Sequence, residues 1–239
     1  MQRLAPLDKG LANLASAAKL PSLQTRAFRS WPSPQMRFRP SMDGDTVIKG
    51  LIGTNVVGWL LWQSNPSFMR QHAMVSVESV SHLRLHTLVT SAFSHFDGWH
   101  LAGNMFALYF FGGNVGQMLG GKRLLQLYLA GAIVSSLAHI GSQLWYNREI
   151  PKYFRAMPGA LGASGAVNAC VILSVLVQPT ATVLLYGIIP LPAWLFGGLW
   201  LLYDLRGAVS QAPGVAYAGH LGGAAVGGLY YLRLRRFLR

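Results

Sequence analysis

Acidic side chains are scarce in this sequence. The 239 residues include 7 Asp and Glu against 20 Lys and Arg, and only 11% are charged, under half of the roughly 25% of an ordinary soluble domain. Cysteine is nearly absent too. Cys170 stands alone, so no intrachain disulfide can form. There is no His-Glu-x-x-His and no cysteine pair, so no zinc site is expected and no cofactor is implied. The missing charges leave five uncharged runs, Gly50–Met69, Gly98–Gly121, Leu124–Asn147, Ala156–Tyr203 and Gly207–Leu232. A bilayer-crossing helix needs about 20 apolar residues, and Ala156–Tyr203 is long enough for two. These runs exclude a soluble globular enzyme, a disordered chain and a β-barrel, whose strands would alternate polar and apolar residues.

The runs predict an all-α polytopic membrane bundle of six helices, at Val47–Gln63, His100–Gly116, Leu124–Leu144, Gly162–Val177, Thr182–Leu202 and Ala216–Leu232. The partner this implies is the lipid bilayer. The net charge of +13 does not point to nucleic acid, because its basic residues cluster at the two ends and in short loops. With six spans both termini share one side. That side carries nine basic residues near the spans against six opposite, which favours both termini on the cytoplasmic or matrix-like face.

Three divisions follow. Residues 1–45 form a leader, basic, serine-containing and nearly free of acids over Met1–Met42, the composition of an organelle transit peptide. Residues 46–233 form the membrane domain, and 234–239 a basic tail. The connection Ser64–Trp99 is longer than most, and such connections are usually functional or partly structured.

An ionisable group inside a membrane is costly and is a functional candidate by default. His220 opens the sixth span, and its helical face continues through Gly223, Ala224, Gly227 and Gly228. Small residues on one face allow close approach of a second helix. The fourth span offers a matching surface, with Gly162, Ala163, Gly165 and Ala166 around Ser164. A serine hydroxyl cannot attack an amide unaided, but a neutral histidine within hydrogen-bond reach can take its proton. His100 and Asn104 lie one turn apart and are suited to stabilise an oxyanion. The bland alternatives are helix packing for Gly-x-Ser-Gly and an interhelical hydrogen bond for His100 and Asn104. His139 is read as structural.

Leu88–Asn104 reads LVTSAFSHFDGWHLAGN, Ala160–Ala166 reads ALGASGA and Ala218–Gly227 reads AGHLGGAAVG. Together, and in this order, these motifs resemble the rhomboid intramembrane serine proteases, most closely their mitochondrial members. The resemblance implies a serine endopeptidase that cleaves in or beside transmembrane helices of membrane-protein substrates. It implies Ser164 as nucleophile and His220 as its base, a dyad without an acid. His100 and Asn104 would join the Ser164 N–H in the oxyanion site. Gly162, Gly165, Gly223, Gly227 and His95 would be structural supports, and Ser64–Trp99 a partly embedded loop. The location implied is the mitochondrial inner membrane, with a plastid membrane as alternative. A non-catalytic relative that binds transmembrane helices is the rival. Two departures stand out. Leu85-His86-Thr87 replaces the family's frequent Trp-Arg. Asn168 replaces the tyrosine often found four residues after the serine, so support for His220 must come from elsewhere.

Overall fold

The computed structural model describes residues 43–149, 159–185, 188–210 and 214–237. Of the leader expected at 1–45, residues 1–42 lie outside these, as do the last two residues of the basic tail, while 43–45 cap and start the first helix. The first helix, α1, runs over Gly44–Ser64. Asp43 caps it by accepting the Thr46 N–H at 3.2 Å. It stops at Asn65, where Pro66 starts a new helix and the Asn65 side chain accepts the Phe68 N–H at 3.1 Å.

The long connection is folded. It holds α2 (Pro66–His72), α3 (Val77–Ser81), α4 (Thr87–Thr90) and a 3₁₀ turn at Ser91–Phe93. Two buried hydroxyl-centred contacts fasten it to the bundle. Trp62 Nε1 donates to Ser94 Oγ at 2.6 Å, and Tyr128 donates its hydroxyl to the Ala92 carbonyl at 2.8 Å. A short antiparallel bridge, Val75 with Ala160, ties the same connection to the segment that leads into the fourth span.

Next comes α5 (Gly98–Ala107), capped by Asp97, which accepts the His100 N–H at 2.6 Å. It passes through a π turn at Leu108–Gly112 into α6 (Gly113–Leu119). Then follow α7 (Gly121–Glu149) and α8 (Ser164–Val177). By length and hydropathy one described helix, α7 over Gly121–Tyr146, is long and apolar enough to cross a bilayer. Helix α8 is apolar but has 14 residues, about 21 Å at 1.5 Å per residue. That is shorter than the roughly 30 Å hydrocarbon core. It is also the centre of the bundle, since every residue from Gly165 to Val175 is buried.

The fifth expected span needs correction. Thr182–Leu185 and Ile189–Pro192 are not helical. They form an antiparallel hairpin, β1 (Thr182–Leu185) with β2 (Ile189–Pro192), in which Thr182 faces Pro192 and Leu185 faces Ile189. Pro190 and Pro192 lack the N–H that a helix interior requires, and an edge strand tolerates them. A two-stranded ribbon is marginal alone. This one is anchored where the Ala193 N–H donates to the Ala181 carbonyl at 2.8 Å and the Trp194 N–H to the Pro179 carbonyl at 2.9 Å. The helix starts only at Ala193, and α9 continues to Ser210. Asp204, placed by the sequence at a span border, is therefore inside a helix and fully buried.

The last helix, α10, spans Tyr217–Phe237 and so carries on into the stretch assigned to the basic tail. Its glycines set its distance from α7 and α8. A Cβ on Gly223 would overlap the Gly165 backbone, one on Gly227 the Ala169 carbonyl, and one on Gly222 would lie 2.7 Å from Ala138 Cβ. Gly228 meets nothing within 4 Å. We therefore expect Gly227→Val to lower the unfolding temperature in lipid, because overpacking costs about 1–3 kcal/mol, while Gly228→Val leaves it near the parental value. Equal melting temperatures for the two variants would contradict this packing.

Candidate active site

Ser164 is the first residue of α8. The turn before it is shaped by Gly162, whose φ of +121° a side-chain-bearing residue rarely adopts. A Cβ there would also lie 2.6 Å from His100 Cε1, so the imidazole of His100 packs directly on the turn. Four hydrogen bonds hold this approach. Val75 and Ala160 exchange theirs, and the Gly162 N–H donates to the Ser91 carbonyl at 2.9 Å. The Ala163 N–H donates to His95 Nε2 at 3.2 Å.

His95 is fully buried, with its ring edge-on to His100 at 5.0 Å between centroids. Burial, helped by the nearby His100, pushes its pKa down to about 3. The ring is thus neutral at ordinary pH. Because Nε2 accepts from Ala163, the proton sits on Nδ1.

Ser164 Oγ lies 2.8 Å from His220 Nε2. On the far side of the ring, His220 Nδ1 lies 2.8 Å from Asp204 Oδ1. A carboxylate at Nδ1 selects the tautomer with its proton there and leaves Nε2 bare, able to accept from the serine. The sequence reading placed no acid beside this pair, whereas α9 brings the buried Asp204 carboxylate to the histidine. The sequence carried one signal of this. Asp204 is the single acid at the edge of the longest uncharged run. Reading the fifth helix as ending at Leu202 hid it.

Asn104 is buried, and one of its N–H groups donates back to the His100 carbonyl at 2.9 Å. Among the described residues its side chain makes no hydrogen bond to Ser164. Around Ser164 the first N–H groups of α8 have no carbonyl one turn back to bond, and they point where anions are favoured. Behind the Ser164–His220 pair is a cavity of about 20 Å³, walled in part by Ser91, Ser135, Ser136 and His139. That is room for about one water, and the walls supply polar partners. Gly165 and Gly223 sit at the closest approach of α8 and α10. Among the described residues no group of three or more His, Cys, Asp or Glu could hold a metal ion.

The buried His95 gives the site a pH liability. Below about pH 6.5 the unfolded chain takes up a proton on this residue, whereas the folded protein resists until about 3. Stability should therefore fall as pH drops through that window. His95→Gln, which keeps an acceptor for the Ala163 N–H but does not titrate, should flatten the fall in unfolding temperature between about pH 6.5 and 4. An unchanged slope would show that His95 is not held neutral.

A Rhomboid domain model matches residues 82–237. Among curated proteins, the chain is 36% identical over 221 residues to RHOMBOID-like protein 12, mitochondrial, of Arabidopsis thaliana, covering 89% of this chain and 63% of that one. It is 35% identical over 195 residues to Rhomboid protein 1, mitochondrial, of Saccharomyces cerevisiae, covering 77% and 52%. It is 30% identical over 227 residues to Rhomboid-like protein 16, chloroplastic, of Arabidopsis thaliana, covering 89% and 67%. The chain thus spans about half to two thirds of the length of these relatives. A family model that covers most of the helical bundle, together with relatives that share a third of its residues over most of its length, shows that this membrane protein belongs to the rhomboid family.

Proposed function

We propose that the protein is an intramembrane serine endopeptidase acting on the transmembrane helices of other membrane proteins. The observation that carries this reading is Ser164 Oγ at 2.8 Å from His220 Nε2, with the Asp204 carboxylate 2.8 Å behind the ring. In this reading Ser164 attacks the scissile carbonyl as His220 takes its proton. The tetrahedral oxyanion then faces the Ser164 N–H at the start of α8, with His100 and the second N–H of Asn104 as further donors. His220 returns the proton to the leaving amine, and Asp204 stabilises the imidazolium in between. Water from the cavity beside the pair then attacks the acyl carbonyl as His220 takes its proton, and His220 returns that proton to Ser164 Oγ as the acid product leaves.

The scaffold supports this reading. A helix in lipid satisfies its own backbone, so a scissile carbonyl becomes available only where the substrate helix unwinds. The shortness of α8 lets its first residue lie below the membrane surface, where a substrate helix ends. We assign α1, the continuous α5–α6, α7, α8, α9 and α10 as the six membrane crossings, with both termini on one side. The alternative, a non-catalytic helix-binding relative, gives no reason for a buried carboxylate at His220. Because named relatives are mitochondrial and chloroplastic, we place the protein in an organelle membrane, the mitochondrial inner membrane first. Met1–Met42 would be its import signal.

Two tests follow. The purified protein in lipid should cleave single-span substrates, and Ser164→Ala should abolish this. Asn104→Ala and His100→Ala should each lower turnover on the order of 10²–10³-fold with the fold intact. Parental rates in both would reduce that face to helix packing. Separately, residues 1–42 fused to a fluorescent protein should be imported into mitochondria, and a diffuse cytosolic signal would contradict the targeting assignment.

A further inference from the structure

Asn168 is a polar side chain in the most apolar place in the molecule. It is 1% exposed, in the middle of the buried stretch of α8 and one turn beyond Ser164. A primary amide in such surroundings is costly unless its groups are bonded. Each of them is. Trp200 Nε1 donates to Asn168 Oδ1 at 3.2 Å. Asn168 Nδ2 faces Asp204 Oδ2 at 3.4 Å and the His220 carbonyl at 3.4 Å.

The chemistry fixes the direction of this network. An indole N–H can only donate, so it selects the oxygen end of the amide. The amino end must then point the other way, towards two groups that can only accept. Trp200 and Asp204 are four residues apart, so they share one face of α9. That face is narrow, since Ala193, Gly197, Asp204 and Gly207 are its buried residues. Asp204 itself is 0% exposed and splits its oxygens, Oδ1 to His220 and Oδ2 to Asn168. A buried carboxylate with one oxygen unmatched would be free to swing off the histidine.

We infer that Asn168 and Trp200 are positioning residues that hold the Asp204 carboxylate in register with His220, as an amide-and-indole clamp. This rests on the serine protease reading. Neither residue touches the reacting atoms. Trp200 orients Asn168, Asn168 orients Asp204, and Asp204 orients His220.

The clamp is tested by the rate at which a fluorophosphonate probe labels Ser164 in the full chain in lipid nanodiscs. Asn168→Leu should slow labelling about tenfold, the size of one lost hydrogen bond to a charged group. Trp200→Phe keeps the ring and removes only the N–H, so it should slow labelling less but measurably. If Asn168→Leu fails to give a folded protein, Trp200→Phe carries the test. In an Asp204→Ala background each substitution should change the rate by less than about twofold, because the group they position is gone. Equal losses in both backgrounds would make the pair merely structural and overturn the clamp, as would parental rates for both. Ser164→Ala separates the two ideas. Labelling that survives it removes the serine reading and the clamp together. Labelling that it abolishes, with equal losses in both backgrounds, removes the clamp alone.

Discussion

The approach of α10 to α8 is the constraint on which the site depends. At Gly223 against Gly165, and at Gly227 against Ala169, the two backbones come so close that no side chain fits between them. Helices in lipid gain nothing from excluding water, so close van der Waals packing of this kind has to hold them together. The same seam determines what His220 can reach. It lies one turn before Gly223 and Ala224, so its ring is directed at the start of α8. A bulkier seam would separate the ring from Ser164 by more than a hydrogen bond spans. Packing and chemistry are thus one requirement, met by glycine.

Within that seam the charges are managed with few groups. The carboxylate of Asp204 is buried completely and faces the His220 ring nitrogen. Its cost in a low-dielectric interior is offset by the histidine and by the Asn168 amide. Helix α9 contributes this acid while most of its other surface stays outward, with Leu199, Leu202 and Leu205 all exposed. The folded connection 65–97 acts on the opposite wall. Through Val75, Ser91 and His95 it holds the backbone of Ala160–Ala163, and so the position from which Ser164 projects.

Much of this was legible in the sequence. Uncharged runs located the helices, and α1 and α10 begin within three residues of their expected starts. Small residues at helical spacing around His220 and Ser164 marked the faces that meet, apart from Gly228, which meets nothing within 4 Å. What escaped had physical causes. Pro190 and Pro192 lie in an apolar run, and apolarity alone does not distinguish a helix from a strand hairpin. That error moved the fifth helix and put Asp204 outside it. The role of Asn168 was visible only as a departure, because its partners Trp200 and Asp204 are more than thirty residues away. Contacts between elements so far apart in the chain have no local signature.

The central claim is that Ser164 and His220 act as one reactive pair. A peptidyl chloromethyl ketone tests this directly, because its two electrophilic carbons require an activated serine and its histidine at bonding distance at once. Mass spectrometry of the treated protein in lipid should find the inhibitor on His220, its chloride displaced, and only when the Ser164 hydroxyl is present to hold the ketone carbon. An adduct on another residue, or modification of His220 that persists unchanged without the Ser164 hydroxyl, would contradict the account.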